Sequence, residues 1–196
     1  MVEKMGNIIG LDMSTLSSGY AVFDSNKKLV KYGIWKQDKK LLWRDRCINM
    51  GKELSKLIET YSPSIIYCED TILSGDCGSN VQTIKMLSVL QGIVLGVCNV
   101  HKVKVKFLMP SAWRKDLGVY DGTREGTKRP QMKYKTIEKV NEIYNLALYY
   151  DIEKPKTVKN QDDIGDAVGI VHSQLFPIKQ EDILKKAKIG RKANIK

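Results

Sequence analysis

The chain begins with short apolar segments separated by polar turns. Apolar and aromatic residues dominate 7–12, 19–24 and 29–35, and the gaps between them are rich in Ser, Thr, Asn and Lys. Segments of this length and composition are typical of β-strands, and connections this short join antiparallel neighbours. The pattern therefore predicts a three-stranded antiparallel meander.

After the meander, apolar residues recur with the spacing of amphipathic helices. The clearest stripe runs over 41–61, where Leu54, Leu57 and Ile58 continue it and Pro63 marks its stop. The other predicted elements are strands over 64–69 and 103–108 and helices over 81–99, 131–148 and 162–176. Strands that alternate with helices after a meander predict an α/β domain, with a mixed sheet and helices packed on it.

Three segments lack this periodicity and are rich in basic residues. Segment 120–130 also contains glycines, and we expect a mobile loop there. Segment 149–161 is predicted to be a basic linker. Because the last predicted helix stops at Pro177, we expect one domain over residues 1–178, followed by a basic tail over 179–196.

The net charge of the chain narrows the class of partner. The 196 residues include 33 Lys and Arg against 22 Asp and Glu, for a formal net charge of +11. A basic surface favours a polyanion such as nucleic acid, although ribosomal and membrane-surface proteins share the signature and solubility alone is another explanation. The first residues lack the apolar core of a secretory signal, and no uninterrupted apolar run approaches the roughly 20 residues that cross a bilayer. We therefore expect a cytoplasmic protein with no membrane partner.

The cysteines do not suggest a metal centre. Cys47, Cys68, Cys77 and Cys98 are scattered without a C-x-x-C pair or a nearby histidine at zinc-finger spacing. Reduced and mostly buried thiols are therefore expected. Each of the two histidines also stands alone in the sequence, so neither predicts a metal ligand.

Acidic residues stand where the predicted elements end or begin. Asp12 ends the first strand, and Glu69 ends the strand that follows the first helix. If these two strands are parallel neighbours, both carboxylates emerge at the same edge of the sheet. Asp163 and Asp166 lie three residues apart at the start of the last helix, and Asp162 and Asp166 lie four apart, so either pair projects from one helix face. Acids from three elements are thus expected to converge.

Converging carboxylates repel one another, so such a cluster needs compensating positive charge. Oxygen ligands from several elements suit Mg²⁺, which shares its coordination shell with water and phosphate. Two such ions can activate water and stabilise the leaving oxygen of a phosphoryl displacement. Each acid also has an ordinary structural explanation: Asp12 as a turn former, Glu69 as the partner of a Lys or Arg, and the helix pair as N-terminal caps.

Three segments together resemble the RuvC family of Holliday junction resolvases, within the RNase H-like superfamily. They are GLDMSTLSSGYAVFD in the first two strands, IIYCED at the second acidic strand and NQDDIGDAVGIVHS in the last helix. The resemblance covers nearly the whole chain and is greatest to the short forms found in phages of Gram-positive bacteria. It implies an α/β fold of the RNase H-like type, with a mixed five-stranded sheet and helices on both faces.

The resemblance also implies roles for the acidic residues. Asp12 would be the central ligand that bridges two metal ions, and Glu69, Asp163 and Asp166 would complete the catalytic ligand set. The implied cofactor is Mg²⁺, with Mn²⁺ as a substitute. Asp162 has no family counterpart, so which of the adjacent aspartates is the ligand stays open, and the spacing to Asp166 favours Asp163.

Family members act as homodimers that grip a four-way DNA junction. They nick two opposed strands symmetrically and leave 5′-phosphate and 3′-hydroxyl ends. A two-fold dimer supplies both nicks because it presents the same patch twice. The apolar helix over 81–99 resembles the family's dimer-forming helix, and an ordinary core helix has the same pattern.

Basic residues of the late loop and helix are expected to contact the phosphate backbone of DNA and to make binding depend on salt. Lys133 is also a catalytic candidate, with Lys135 as the alternative, because a lysine near the scissile phosphate would stabilise its developing charge. The residues expected to bind DNA are Arg114, Lys115, Arg124, Lys128, Arg129, Lys133 and Lys135.

Two departures from the family bear on specificity. Family members carry an aromatic wedge soon after the second acidic strand, where this chain has Ile72 and Leu73. The basic insert over 120–130 and the tail over 185–196 could extend binding to forks, flaps and other branched DNA.

Two other functions stay open from the sequence: an RNase H-like nuclease acting on RNA:DNA hybrids, and a non-catalytic module that binds branched DNA. An actin-like ATPase or sugar kinase shares the G-x-D-x-S-T segment near the N-terminus. That architecture needs two such domains, for which 196 residues are too few.

Overall fold

The predicted strands and helices all form, and one further helix is present. The computed structural model describes residues 6–71, 81–120, 126–157 and 159–178. The strands are β1 (Asn7–Asp12), β2 (Ser17–Phe23), β3 (Leu29–Lys36), β4 (Pro63–Glu69) and β5 (Lys104–Leu108). The helices are α1 (Trp43–Tyr61), α2 (Val81–Val100), α3 (Pro110–Leu117), α4 (Arg129–Tyr144) and α5 (Asp162–Leu175).

The five strands form one mixed sheet in the order β3-β2-β1-β4-β5. β2 is antiparallel to both β1 and β3, whereas β4 is parallel to both β1 and β5. β1 and β4 therefore end at the same edge of the sheet. The predicted meander, the mixed five-stranded sheet and the parallel pairing of the two acidic strands are confirmed.

Helices cover both faces of the sheet, because successive residues of a strand point to opposite faces. Ile9 and Leu11 of β1 pack on one face with apolar residues of α1 and α2. Ile8 lies on the other face, in a cluster with Ala167 and Val168 of α5 and with apolar residues of α4. The alternation along β1 thus builds both layers of the core.

The helix α3 is absent from the sequence-based prediction, which placed no element over 110–117. It is only 8 residues long, so its apolar positions do not establish a period. Its ends do carry a signal, because Pro110 stands at the first turn and Gly118 follows the last residue with φ of 80°. Proline at the start and glycine just past the end are typical of a helix.

The helix α4 begins earlier and ends earlier than the predicted 131–148. It starts at Arg129, with Pro130 in its first turn. It ends at Tyr144 because Asn145 adopts a left-handed conformation with φ of 50°. A residue in that conformation just after the last turn stops a helix, and Asn is among the few side chains that adopt it readily.

The helix α2 is apolar almost throughout, but only one side of it reaches the core. Leu90, Val94 and Cys98 are buried, whereas Val89 and Leu95 are 40% and 50% exposed. In the part of the chain that the structure describes, α2 is the one helix long and apolar enough, by length and composition, to cross a membrane. A core helix of a soluble protein meets the same two criteria.

The thiols of the described residues match the sequence-based expectation: Cys47, Cys68 and Cys98 are free and buried. Several predictions fall on positions outside the described ranges. They concern Ile72, Leu73, Cys77, Arg124, positions 121–125 of the loop over 120–130 and the tail over 179–196.

Candidate active site

The ends of β1 and β4 bring two acids together at one edge of the sheet. Leu11 and Cys68 are paired in the parallel register, so Asp12 and Glu69 follow at adjacent positions. The two carboxylates are close enough to repel each other, and the charge of Glu69 contributes to a raised pKa of Asp12. The next acid along β4, Asp70, instead accepts a hydrogen bond from Gln91 of α2 at 3.0 Å.

Glycines allow α5 to lie against this edge. A side chain at Gly10 of β1 would overlap the backbone carbonyl of Ala167, and one at Gly19 of β2 would overlap the backbone carbonyl of Asp163. Gly19 is paired with Asp12 in the antiparallel register. The close approach that these glycines permit therefore places the start of α5 beside the end of β1.

Lys133 of α4 lies among the carboxylates and is buried. Its Nζ is 2.9 Å from Asp166 Oδ2, 2.9 Å from Asp162 Oδ2, 3.6 Å from Asp12 Oδ2 and 4.0 Å from Asp163 Oδ1. The catalytic candidates from β1, α4 and α5 are thus brought together. Burial lowers the pKa of the Lys133 ammonium, but the surrounding carboxylates, Asp166 and Asp12 foremost, together raise that pKa by more, so the group stays charged.

Arg114 of α3 supplies a second cation to the cluster. Its Nη2 is 2.8 Å from Asp166 Oδ2 and 3.5 Å from Glu69 Oε2, and its side chain is 13% exposed. The neighbouring Trp113 is fully buried and donates its indole N–H to Glu69 Oε2 at 2.9 Å. We call Asp12, Glu69, Asp162, Asp163 and Asp166, together with Lys133 and Arg114, the carboxylate cluster.

A serine-rich turn holds one acid of the cluster. The Ser17 hydroxyl donates a hydrogen bond to Asp163 Oδ2 at 2.6 Å. The turn itself is closed by two serine hydroxyls. The Ser18 hydroxyl accepts from the Ser14 backbone N–H at 3.0 Å and donates to the Ser14 carbonyl at 2.7 Å, and the Ser14 hydroxyl donates to the Ser17 carbonyl at 2.7 Å. Neither Ser17 nor Trp113 is among the predicted site residues, because both contacts join elements distant in the sequence.

Burial and charge shift the pKa values of the cluster in opposite directions. Burial raises the pKa of the Asp12 carboxyl well above its usual range, although Lys133 partly offsets the shift. Burial likewise raises the pKa of Glu69 and of Asp163. For Asp166, burial favours a higher pKa, but Lys133 and Arg114 together outweigh it and hold the pKa below its usual value. Additional positive charge would therefore favour the ionised forms of Asp12, Glu69 and Asp163.

The donor set fits a hard divalent cation. Carboxylate oxygens are the ligands that Mg²⁺ and Mn²⁺ prefer in proteins. Asp166 Oδ1 is buried and has no hydrogen-bond partner among the described residues. Carboxylate oxygens of Asp162 and Asp166 contact the Lys133 ammonium. Within the described ranges, no three His, Cys, Asp or Glu side chains are already arranged as a metal-binding set. Binding a metal would therefore require Lys133 to give up some of these contacts.

The basic residues expected to bind DNA fall into two groups. Lys133 and Arg114 lie inside the carboxylate cluster and are mostly buried. Lys115, Lys128 and Arg129 are exposed at the end of α3 and the start of α4, and Lys135 is half-buried further along α4. The exposed group lies on the same two helices that supply the cations of the cluster.

A scan against protein-family models gives no match, and a search of curated proteins finds no relative of this sequence. Solved structures do match. Thermus thermophilus RuvC in complex with a Holliday junction substrate aligns with a TM-score of 0.65 and 14% identity, over 87% of this chain and 93% of that one. Such a likeness, at low identity, is one of fold.

Two further matches come from other sources. The yeast mitochondrial Holliday junction resolvase Ydc2 aligns with a TM-score of 0.55 and 13% identity, over 96% of this chain and 84% of that one. The Fowlpox virus resolvase in complex with Holliday junction DNA aligns with a TM-score of 0.52 and 16% identity, over 86% and 97%. The chain therefore has the α/β, RNase H-like fold of RuvC and other Holliday junction resolvases.

Proposed function

We propose that the protein is a metal-dependent endonuclease that resolves Holliday junctions, a crossover junction endodeoxyribonuclease. The observation that carries the proposal is the carboxylate cluster, in which acids from β1, β4 and α5 meet at one sheet edge of a junction-resolvase fold. Paired symmetric nicking that leaves 5′-phosphate and 3′-hydroxyl ends is the corresponding reaction. Forks, flaps and other branched DNA are secondary substrates of the proposal.

The residues that would hold the metal are Asp12, Glu69, Asp163 and Asp166. The bound Mg²⁺, or Mn²⁺ in its place, would supply Lewis-acid activation of water and stabilisation of the leaving oxygen. We prefer Asp163 to Asp162 as a ligand. The charge of Asp163 raises the pKa of Asp12, which supports a position for Asp163 beside that central acid. The unpartnered Oδ1 of Asp166 supports a cation at that atom.

The positive charge of Lys133 suits it to stabilise the scissile phosphate during the reaction. Its ammonium is held at the centre of the cluster by acids of both strand β1 and helix α5. In the proposal it moves from these acids to the scissile phosphate and stabilises negative charge there. In the same proposal, the exposed Lys115, Lys128 and Arg129, together with Lys135 and Arg124, bind the phosphate backbone of the DNA.

The two nicks require two sites, and we infer a homodimer formed through α2. Val89, Gly92, Leu95 and Gly96 lie on the side of α2 opposite Leu90 and Val94, as a period of 3.6 residues dictates. A side chain added at Gly92 or Gly96 would meet no atom within 4 Å. An apolar helix face with open glycines fits the same face of a second copy.

The proposal also includes a location in the cytoplasm. If the protein is of the phage type, this is the cytoplasm of the bacterial host.

The proposal is tested with labelled DNA substrates and purified protein. Wild type, Asp12→Asn and the control Asp45→Asn are incubated with a four-way junction, a fork, a linear duplex and an RNA:DNA hybrid, each with Mg²⁺ or EDTA. Asp45 is exposed in α1, far from the cluster in sequence. We expect paired, metal-dependent nicks in the junction with wild type and the control, and none with Asp12→Asn.

Binding of the junction by Asp12→Asn should persist, because the exposed basic residues are unchanged. Binding without cutting by wild type with Mg²⁺, and again when Mn²⁺ replaces it, would overturn the nuclease and leave a branched-DNA-binding module. Cutting confined to the hybrid would replace the resolvase with an RNase H activity.

A further inference from the structure

The side chain of Trp113 joins the core of the protein to the carboxylate cluster. It is fully buried among apolar residues of β5, α3, α4 and α5, and its one polar atom contacts Glu69. We propose that Trp113 is a positioning residue that holds the Glu69 carboxylate ready for a divalent cation. This inference rests on the proposed function, because it concerns the same site.

The contact restricts a side chain that would otherwise be mobile. Glu69 is the last residue of β4, and three rotatable bonds separate its carboxylate from the backbone. Trp113 Nε1 donates to Oε2 at 2.9 Å, and Arg114 Nη2 lies 3.5 Å from the same oxygen. Within the described residues both contacts use Oε2, which leaves Oε1 for a ligand.

The indole itself has little freedom. A methyl group added at Gly169 of α5 would lie 3.1 Å from the Trp113 ring, so the ring packs directly on the helix that carries Asp166. The Arg114 guanidinium lies over the ring, 4.3 Å from its centroid, and reaches Asp166 Oδ2 at 2.8 Å. Two adjacent residues of α3 therefore hold an acid of β4 and an acid of α5 in one arrangement.

The chemistry of the indole distinguishes this role from packing. Leu or Phe would fill an apolar core, but neither has a hydrogen-bond donor. A donor to a carboxylate that binds metal fixes the orientation of the ligand, and loss of such a partner weakens metal affinity about 10–100-fold. The N–H of Trp113 is thus expected to act through Glu69 on metal binding.

The test measures Mn²⁺ binding to the metal-free protein without DNA, by isothermal titration calorimetry. Trp113→Phe removes the donor and keeps an aromatic ring under Arg114. Trp43→Phe is the matched control, because Trp43 lies at the start of α1 and its ring is paired with Arg44. We expect the Kd for Mn²⁺ to rise about 10–100-fold in Trp113→Phe and to stay unchanged in Trp43→Phe.

A second measurement leaves Trp113 in place, in case Trp113→Phe fails to fold. The chain has three Trp residues, so replacing Trp35 and Trp43 by Phe leaves Trp113 as the only indole. Paramagnetic Mn²⁺ bound beside Glu69 should quench its fluorescence, and diamagnetic Mg²⁺ should compete and restore it. Glu69→Ala should shift the Trp113 emission and abolish the quenching. The control Glu53→Ala, which alters a partly exposed acid of α1 paired with Lys56, should do neither.

The outcomes separate this inference from the function on which it rests. If wild type binds Mn²⁺ and Trp113→Phe, folded, binds it equally well, Trp113 has only a packing role and the inference is wrong while the nuclease stands. If wild type itself binds no Mn²⁺, the metal-dependent function fails first. Trp113 emission that ignores both Mn²⁺ and Glu69→Ala would also overturn the inference.

Discussion

Lys133 and Arg114 are the residues that make a buried group of acids tolerable in this fold. Burial alone would raise the pKa of each carboxyl, because a charged group loses hydration in the interior. Asp166 escapes this effect since it contacts both cations at 2.8–2.9 Å. Asp12, whose nearest cation is 3.6 Å away, does not. Distance from the cations thus distinguishes two acids of the same site.

This difference predicts that the Asp12 charge destabilises the metal-free fold. Its pKa is raised by burial, so at neutral pH the ionised form is less favourable in the folded chain than in the unfolded chain. Asp12→Asn should therefore raise Tm, by roughly 2–4 °C per kcal/mol recovered, in EDTA at pH 7. Added Mg²⁺ should raise the Tm of wild type and leave that of Asp12→Asn unchanged.

Differential scanning fluorimetry in both buffers checks this prediction. Asp45→Asn, which alters an exposed acid, should behave as wild type in both. A lower Tm for Asp12→Asn in EDTA would mean that the pairing of Asp12 with Lys133 outweighs its burial.

His172 of α5 predicts a pH dependence of stability away from the site. Burial, with a smaller effect of Lys139, lowers its pKa, and its Nδ1 lies 2.7 Å from the Tyr144 hydroxyl. As pH falls through the ordinary value of about 6.5, the unfolded chain binds a proton that the folded chain resists. The free energy of unfolding should therefore fall between pH 7 and 5 more steeply in wild type than in His172→Gln. Urea unfolding of both proteins at pH 7 and at pH 5 measures this fall. An equal fall in the free energy of unfolding of wild type and His172→Gln would contradict the prediction.

Among the elements, β2 and α5 show how closely backbone must approach to build the site. Gly19 lies opposite Asp12, and the backbone of Asp163 occupies the space that a side chain at Gly19 would fill. The contact sets the distance between the end of β1 and the first turn of α5. A small residue at one strand position is therefore a requirement of the site as well as of the fold.

Gly19→Ala should consequently damage both stability and metal binding. The added methyl must displace backbone rather than a flexible side chain, and overpacking of this kind costs about 1–3 kcal/mol. Gly33→Ala is the matched control, since a methyl there meets the end of the Tyr20 side chain. Urea unfolding and Mn²⁺ titration should show the larger loss in Gly19→Ala. Normal Mn²⁺ affinity in that variant would mean that α5 can shift without changing the site.

In the whole molecule, two separate surfaces correspond to the two parts of the proposed function. The sheet edge carries the reacting groups, and α2 carries the proposed dimer contact. The edge gathers the carboxylate cluster and the exposed cations of α3 and α4. On the sheet face that α1 and α2 cover, α2 turns an apolar surface outward. In the proposed function, one copy contributes one cluster, and a symmetric pair would cut two strands together.

Val89→Glu should therefore separate the proposed dimer without unfolding the chain. An unpaired charge buried in an interface costs at least about 3 kcal/mol, so the dimer Kd should rise about 100-fold or more. Val30→Glu is the control, because Val30 of β3 is similarly exposed at 47% and lies on the edge strand. Sedimentation velocity measures the oligomeric state. A dimer that persists in Val89→Glu would place the interface elsewhere.

Much of the fold follows from local patterns in the sequence. Alternation along the strands and the helical period depend on neighbouring residues, so the order of elements, the mixed sheet and the position of Asp12 and Glu69 at strand ends were predictable. The i, i+3 spacing of Asp163 and Asp166 is local in the same sense. Short or irregular pieces were not: α3 has too few residues for a period, and α4 ends at the left-handed Asn145.

Which side chains join the carboxylate cluster depends instead on tertiary packing. Lys133 and Arg114 were expected to bind DNA backbone, with Lys133 also near the reacting phosphate, but the cluster surrounds both with acids from other elements. Ser17 contacts Asp163 across 146 positions of sequence, and Trp113 contacts Glu69 across 44. Such contacts depend on how a sheet and two layers of helices pack. No pattern of neighbouring residues encodes them, because their energy arises only once burial has brought distant groups together.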